Sequence, residues 1–413
     1  MTAAGSLGPT VAEGDFLSGR GRGQLSLLRN VPLIALGLGH GAVDLCANAL
    51  PVFYPMLMAA LNLSYASAGA LVTVQSASSS LSQPFFGWLS DRFGGRMVAV
   101  FAVLLAASAC GMVGYAPGYY PLLVVVALLG LGIAAYHPQG AKTATILGGP
   151  WRTTSLSIYM VLGSLGYASG PLMAATLLVP SGLKSTPVLL LPAILVALLL
   201  FATLGKVDRR PAEKGPAMVG PRGPISWMGV AVLGVVIVAR SWVSNGLVAF
   251  LPLLYSARGH APQLAGEMMF LLFALEGGGM ALGGWMADRV GRKLTIAISF
   301  LLLVPLLHLF LSSEGTPAVA LAIPVGILMG ASVTVTLAMA QEILPSRMGM
   351  ASGIAISLSQ IMGGIGVALQ GILADRYGLE PSMETLVAAS LVAAAASLRL
   401  TERRGRNEQG QTG

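Results

Sequence analysis

Charge is what this 413-residue chain has least of. Only 10% of its residues are Asp, Glu, Lys or Arg, where a soluble domain carries about 25%. That shortfall excludes an ordinary water-soluble globule. Cysteine is almost missing as well: Cys46 and Cys110 both fall inside apolar runs, so no disulfide framework is implied. The patterns of an enzyme are also lacking. There is no Ser/His/Asp set, no metal-ligand cluster and no phosphate-cradling glycine loop. The expectation is a non-enzyme with no catalytic residues, no metal and no cofactor. The glycine runs at Gly277–Gly279 and Gly363–Gly366 read as helix packing surfaces.

What is present is apolar length. Apolar residues make up 55% of the chain and the mean hydropathy is +0.78. A helix of about 20 apolar residues crosses the ~30 Å hydrocarbon core, and in lipid only helices and closed barrels satisfy their own backbone hydrogen bonds. Unbroken runs, rather than alternating ones of about 10 residues, select helices. Twelve spans are predicted: 31–57, 66–89, 97–116, 120–146, 153–180, 186–205, 226–254, 263–287, 293–312, 316–341, 348–374 and 383–400. The expected fold class is an all-α polytopic membrane protein.

Orientation follows from the basic residues, which stay on the cytoplasmic side of short loops. With the N-terminus inside, 20 of the 24 Lys and Arg residues are cytoplasmic, Lys184, Arg258 and Arg376 are outside, and Arg240 lies within a span. Both termini are therefore expected in the cytoplasm, in a bacterial-type inner membrane. The net charge of +8 reads as topology plus attraction to anionic lipid, with no nucleic-acid partner. The first apolar run is too long for a secretory signal.

Lys206 to Pro224, KVDRRPAEKGPAMVGPRGP, is charged and broken by Gly and Pro. Six spans precede it and six follow. The predicted organisation is a disordered tail at 1–30, a six-helix bundle at 31–205, a cytoplasmic linker at 206–225, a second bundle at 226–400 and a tail at 401–413. Parallel repeats of this kind belong to transporters that rock about a midplane site.

One charged cluster occurs twice at matching places. GWLSDRFGGR, Gly87 to Arg96, returns as GWMADRVGRK, Gly284 to Lys293. Gly87, Asp91, Arg92, Gly94 and Arg96, with Gly284, Asp288, Arg289, Gly291 and Arg292, resemble the paired loop signature of the major facilitator superfamily. The resemblance covers about residues 30–400. It implies two six-helix bundles, a small-molecule substrate and a monomer in the bilayer. Physically, Gly87 and Gly284 would let two helices approach closely, and Asp91 and Asp288 would face another helix's N-terminus. In that family the cluster acts as a cytoplasmic latch. The alternative is a basic turn that only fixes topology.

Ionisable groups at the bilayer centre cost roughly 2.5–3.5 kcal/mol each on insertion scales, so each is a functional suspect. Asp44, Arg240 and Glu276 each lie about 13 or 14 residues into their spans, which puts all three near the midplane. One proton would neutralise the trio, and low-dielectric surroundings favour that outcome. The alternative is a static ion pair between Arg240 and one carboxylate. His40 precedes Asp44 by one turn, and His137 sits in AYHPQG nearer the cytoplasmic end of span four. Asn48 and Asn245, with Gln75, Gln341 and Gln360, either line a polar path or bond helix to helix.

Span five carries GSLGYASGP, in which Gly166, Gly170 and Pro171 resemble the antiporter signature of exporting members of the superfamily. Ala174 and Ala175 stand where Gly is usual there. A small-residue packing face with a proline kink is the equal alternative. The pairing of His40 with Asp44, LPVFYPML, YHPQG and RSWVSNGLVAFLPLLY resembles the fosmidomycin-resistance efflux branch. That resemblance implies export of a small drug or metabolite by proton antiport, with the proton gradient as the energy source. Uptake of a small organic anion by proton symport is the rival expectation. A membrane receptor or scaffold is a third, with no large soluble domain to support it.

Overall fold

The structure, a computed structural model, describes residues 26–205, 227–343 and 348–400. The expected linker and most of both tails lie outside the described residues. Among those described there is no strand. Twelve long helical segments follow one another: α1 (Val31–Leu61), α2 (Tyr65–Phe93), α3 (Gly95–Tyr115), α4 (Tyr119–Trp151), α5 (Thr154–Ser181), α6 (Leu183–Leu204), α7 (Trp227–Ala257), α8 (Pro262–Val290), α9 (Arg292–Ser312), α10 (Gly315–Ile343), α11 (Met348–Tyr377) and α12 (Leu379–Ser397). Eleven are long and apolar enough to cross a membrane; α2 is the exception. It has the length, at 29 residues, but its run of Ser, Thr and Gln dilutes the apolar content.

The neighbours of each helix repeat after six. In the first set α1 packs on α5, α2 on α4, and α3 on α4 and α6; in the second, α7 packs on α11, α8 on α10, and α9 on α10 and α12. Two large contacts join the sets, α2 with α11 and α5 with α8. Adding six to each number, counted round a cycle of twelve, turns one pair into the other, as a two-fold axis between like halves requires.

Glycines allow the tight contacts. A Cβ on Gly166 would strike the Gly41 backbone, and one on Gly170 would reach the Leu45 carbonyl at 2.5 Å. In this structure the span-five sequence is therefore the small-residue packing face of α5 against α1. After Pro171 the helix widens into a π turn, Ala174–Leu178.

The halves meet at one end and part at the other. Gly69 near the start of α2 lies against Val367 and Ala368 of α11, and Gly266 near the start of α8 lies against Pro171, Leu172 and Ala175 of α5. At the far ends of the same two helices, a Cβ on Gly87 or Gly284 would meet nothing within 4 Å. The close helix approach expected at those glycines is therefore not made here. In this conformation the ends that carry them stand apart.

Candidate functional site

Between the halves lies a cavity of about 290 Å³, and its walls carry Asp44 and His40 of α1, His137 of α4, Arg240 and Asn245 of α7, Glu276 of α8 and Gln360 of α11. A recess of about 210 Å³ adjoins it and shares Arg240, Ser359 and Gln360. The two together suit a small organic ligand.

Three helices of the first half converge on Asp44. Helical spacing puts His40 one turn away on the same face, with its Nε2 3.2 Å from one carboxylate oxygen. His137 reaches the other oxygen from α4, also at 3.2 Å. Each ring is held from behind. His40 Nδ1 is 3.1 Å from the Tyr159 carbonyl of α5, and His137 Nδ1 is 2.8 Å from the Ile133 carbonyl. The His40 ring stacks on Tyr159 with centroids 4.3 Å apart, and Gly163 leaves room for it because a Cβ there would overlap the imidazole.

This geometry decides where protons sit. A carbonyl oxygen only accepts, so Nδ1 carries the hydrogen in both rings. In a neutral ring the Nε2 facing Asp44 is then a bare lone pair, and a lone pair repels a carboxylate oxygen. Each of the two contacts becomes a hydrogen bond only when a further proton lies between its atoms. One such proton neutralises the cluster and a second leaves it cationic. The three residues also offer ligand atoms within 4.8 Å of one another, the donor set of a metal site. However, each imidazole addresses its own carboxylate oxygen, which is the arrangement of two hydrogen bonds rather than of one coordination centre.

The second half is built differently. Arg240 Nη2 donates to Ser359 Oγ at 3.0 Å, Ser359 also bonds the Ser241 hydroxyl, and Arg240 Nε is buried without a partner. Glu276 is 8% exposed and faces the cavity. Among the described residues no hydrogen bond or ion pair engages its carboxylate. Asp44, Arg240 and Glu276 therefore line one cavity, as their depth predicts, but they do not pair with each other. The ion pair considered for Arg240 is not formed.

Other expected positions divide. Asn245 lines the cavity and Gly363 makes room for it. Asn48 does not line it; the side chain is buried and its Nδ2 donates to the Tyr167 carbonyl at 2.7 Å, so it bonds helix to helix. Asp91 does not make its expected contact in this conformation. Its carboxylate pairs with Lys142 of its own half instead of facing a helix N-terminus, while Asp288 is exposed. Arg92 and Arg289 lie over the rings of Trp88 and Trp285, and Arg96 lies over Phe201. Gly94 and Gly291 take φ of 89° and 96°, a backbone that favours glycine. Sequence reading missed Ser359 and the contact between His137 and Asp44; the polar run SLSQ around residue 359, inside an apolar span, was the available signal for the former.

A family model described as Major Facilitator Superfamily matches residues 36–366 and 231–413. The chain belongs to the major facilitator superfamily. Among curated relatives, an uncharacterised superfamily transporter of Bacillus subtilis, YfnC, is 28% identical over 85% of this chain and 88% of its own length. The fosmidomycin resistance protein of Escherichia coli is 24% identical over 84% and 87%. A probable 4-methylmuconolactone transporter of Cupriavidus pinatubonensis is 25% identical over 80% of each chain. Among solved structures, a bacterial homologue of the human lysosomal transporter Spinster, inward-facing and occupied, superposes with a TM-score of 0.75 at 17% identity, covering 89% of this chain and 95% of that one. The nucleoside transporter NupG gives 0.70 at 15%, covering 89% and 98%. These likenesses establish the fold: a multi-pass membrane transporter with all-α architecture.

Proposed function

We propose that this transporter exports a small organic molecule from the cytoplasm in exchange for protons, at the cavity between its halves. The observation that carries the reading is Asp44 held between two imidazole Nε2 atoms, each contact a hydrogen bond only when a proton lies between its atoms. Glu276 is the second station. An ionised carboxylate at this depth has lost its hydration and, among the described residues, makes no hydrogen bond or close ion pair in return, so it suits a partner that arrives and leaves, either a proton or a cationic group of the substrate. Protons entering from outside fill these stations and displace the substrate outward. After the halves rock, the protons leave to the cytoplasm and the substrate binds again. Export is supported by the likeness to a protein named for drug resistance.

The test is proton movement in everted membrane vesicles loaded with a pH dye. Adding transported drugs one at a time should collapse an imposed gradient with the wild-type chain and fail to do so with Glu276→Gln. If no compound from a broad panel moves protons through the wild-type chain, the coupling is wrong. One observation favours a second reading, uptake of an organic anion with protons. Arg240 keeps a buried, unpartnered Nε beside the cavity, and one relative is a probable lactone transporter. In the same vesicles, that reading requires substrate and protons to move in the same direction.

A further inference from the structure

The Asp-Arg cluster has a third copy. GILADRYG, Gly371 to Gly378, keeps the spacing Gly-x-x-x-Asp-Arg-x-Gly of the copies at Gly87 and Gly284. The backbone keeps it too. The final glycines Gly94, Gly291 and Gly378 have φ of 89°, 96° and 95°, and each donates its N–H to the carbonyl four residues back at 3.0–3.1 Å. The third copy ends α11, on the face of the membrane opposite to the ends of α2 and α8.

Among the described residues, the Gly-x-x-x-Asp-Arg-x-Gly stretch of this copy alone of the three is engaged across the halves. Asp375 accepts from the Tyr65 and Ala66 backbone N–H groups of α2 at 2.8 and 3.0 Å, one per carboxylate oxygen. The next N–H, that of Ser67, is taken by the Ser64 hydroxyl at 3.2 Å. Three of the donors that every helix start leaves without a partner are thereby satisfied, two of them by the other half of the molecule, and the carboxylate meets the positive end of the helix dipole. Gly371 permits the approach, because a Cβ there would lie 2.5 Å from the Tyr65 carbonyl oxygen and 2.9 Å from Ala66 Cα. In the other two copies the first glycine faces open space, Asp91 is paired within its own half and Asp288 is exposed.

We propose that Gly371, Asp375 and Gly378 form an outer gate latch, which holds the cavity shut towards the outside while the inner copies are released. Helix α2 is the lever. At 1.5 Å per residue its 29 residues run about 43 Å, with the outer latch at its first turn and the inner cluster at its last. A rocking motion that brings Gly87 and Asp91 into contact with the second half withdraws Tyr65 and Ala66 from Asp375, so the two latches alternate. This inference needs the fold and the contact but neither the proton stations nor the substrate, and its test uses neither.

Spin-label pairs measure it on purified protein without ligand. Asn62→Cys with Pro381→Cys spans the outer gate, and Phe93→Cys with Val290→Cys spans the inner one. Asp375→Asn has the same shape but turns an acceptor into a donor against a backbone N–H. It should raise the outward-open to inward-open ratio about two- to fivefold, the scale of an exposed carboxylate at a helix start. Gly371→Val should shift the ratio further by steric exclusion. Lengthening at the outer pair together with shortening at the inner pair supports the latch. Unchanged distributions in both variants overturn it, and so does outer lengthening without inner shortening, which would mark local fraying only.

Discussion

Substituting Asp44 by Asn leaves the size of the side chain unchanged and removes the anion between His40 and His137. When filled with protons, the wild-type cluster makes two charge-assisted contacts at 3.2 Å. A hydrogen bond to a charged group contributes roughly 1.5–3 kcal/mol, so the filled state loses about 3–6 kcal/mol if both depend on the carboxylate charge. At 1.4 kcal/mol per decade, that lowers the population of the proton-filled cluster by roughly 10²–10⁴-fold. In proteoliposomes with an imposed pH difference, Asp44→Asn should reduce pH-driven flux at least a hundredfold. Substrate exchange without a gradient should persist, since the fold and the second half are untouched. His137→Gln removes one contact of the two and should lose about the square root of that factor. If Asp44→Asn keeps pH-driven flux within twofold of wild type, the cluster does not carry the coupled protons, and Glu276 must act alone.

Three other outcomes follow from the same geometry. Arg240→Gln should lose binding of anionic ligands selectively, measured by thermal shift against matched neutral analogues; equal loss for both classes argues against Arg240 as an anion anchor. Gly166→Leu places a side chain against the Gly41 backbone, an overpacking that costs about 1–3 kcal/mol or more, and should lower the melting temperature in detergent by several degrees while an exposed control, Leu165→Ala, does not. Cys46 and Cys110 are both buried and free, with the Cys110 thiol donating to the Cys46 carbonyl at 3.4 Å. A membrane-permeant maleimide should therefore label neither in the folded protein and both after denaturation.

Membrane class and helix positions were legible in the chain because hydropathy is a local sum. The depth of Asp44, Arg240 and Glu276 was legible for the same reason, since rise per residue converts sequence position into height. His40 beside Asp44 is local as well, one turn of one helix. The two inner Asp-Arg clusters could be read as motifs, and the third could have been. It ends a span on the opposite face, so its sequence alone does not tie it to a gate on the cytoplasmic side.

Which partner each polar group takes was not legible. His137 is 93 residues from Asp44 in number, and the two meet because α4 and α1 pack with their polar faces inward. Arg240 went to Ser359 rather than to a carboxylate, and Asn48 turned to the Tyr167 carbonyl instead of the cavity, because lateral direction around a buried helix is set by its neighbours. Asp375 and Tyr65 stand 310 residues apart. The amino-acid order alone determined that helices would cross a bilayer, and at what height each charge would stand. Only packing between helices decided which charges touch and which end of the cavity is open, since those contacts join segments that no local sum connects.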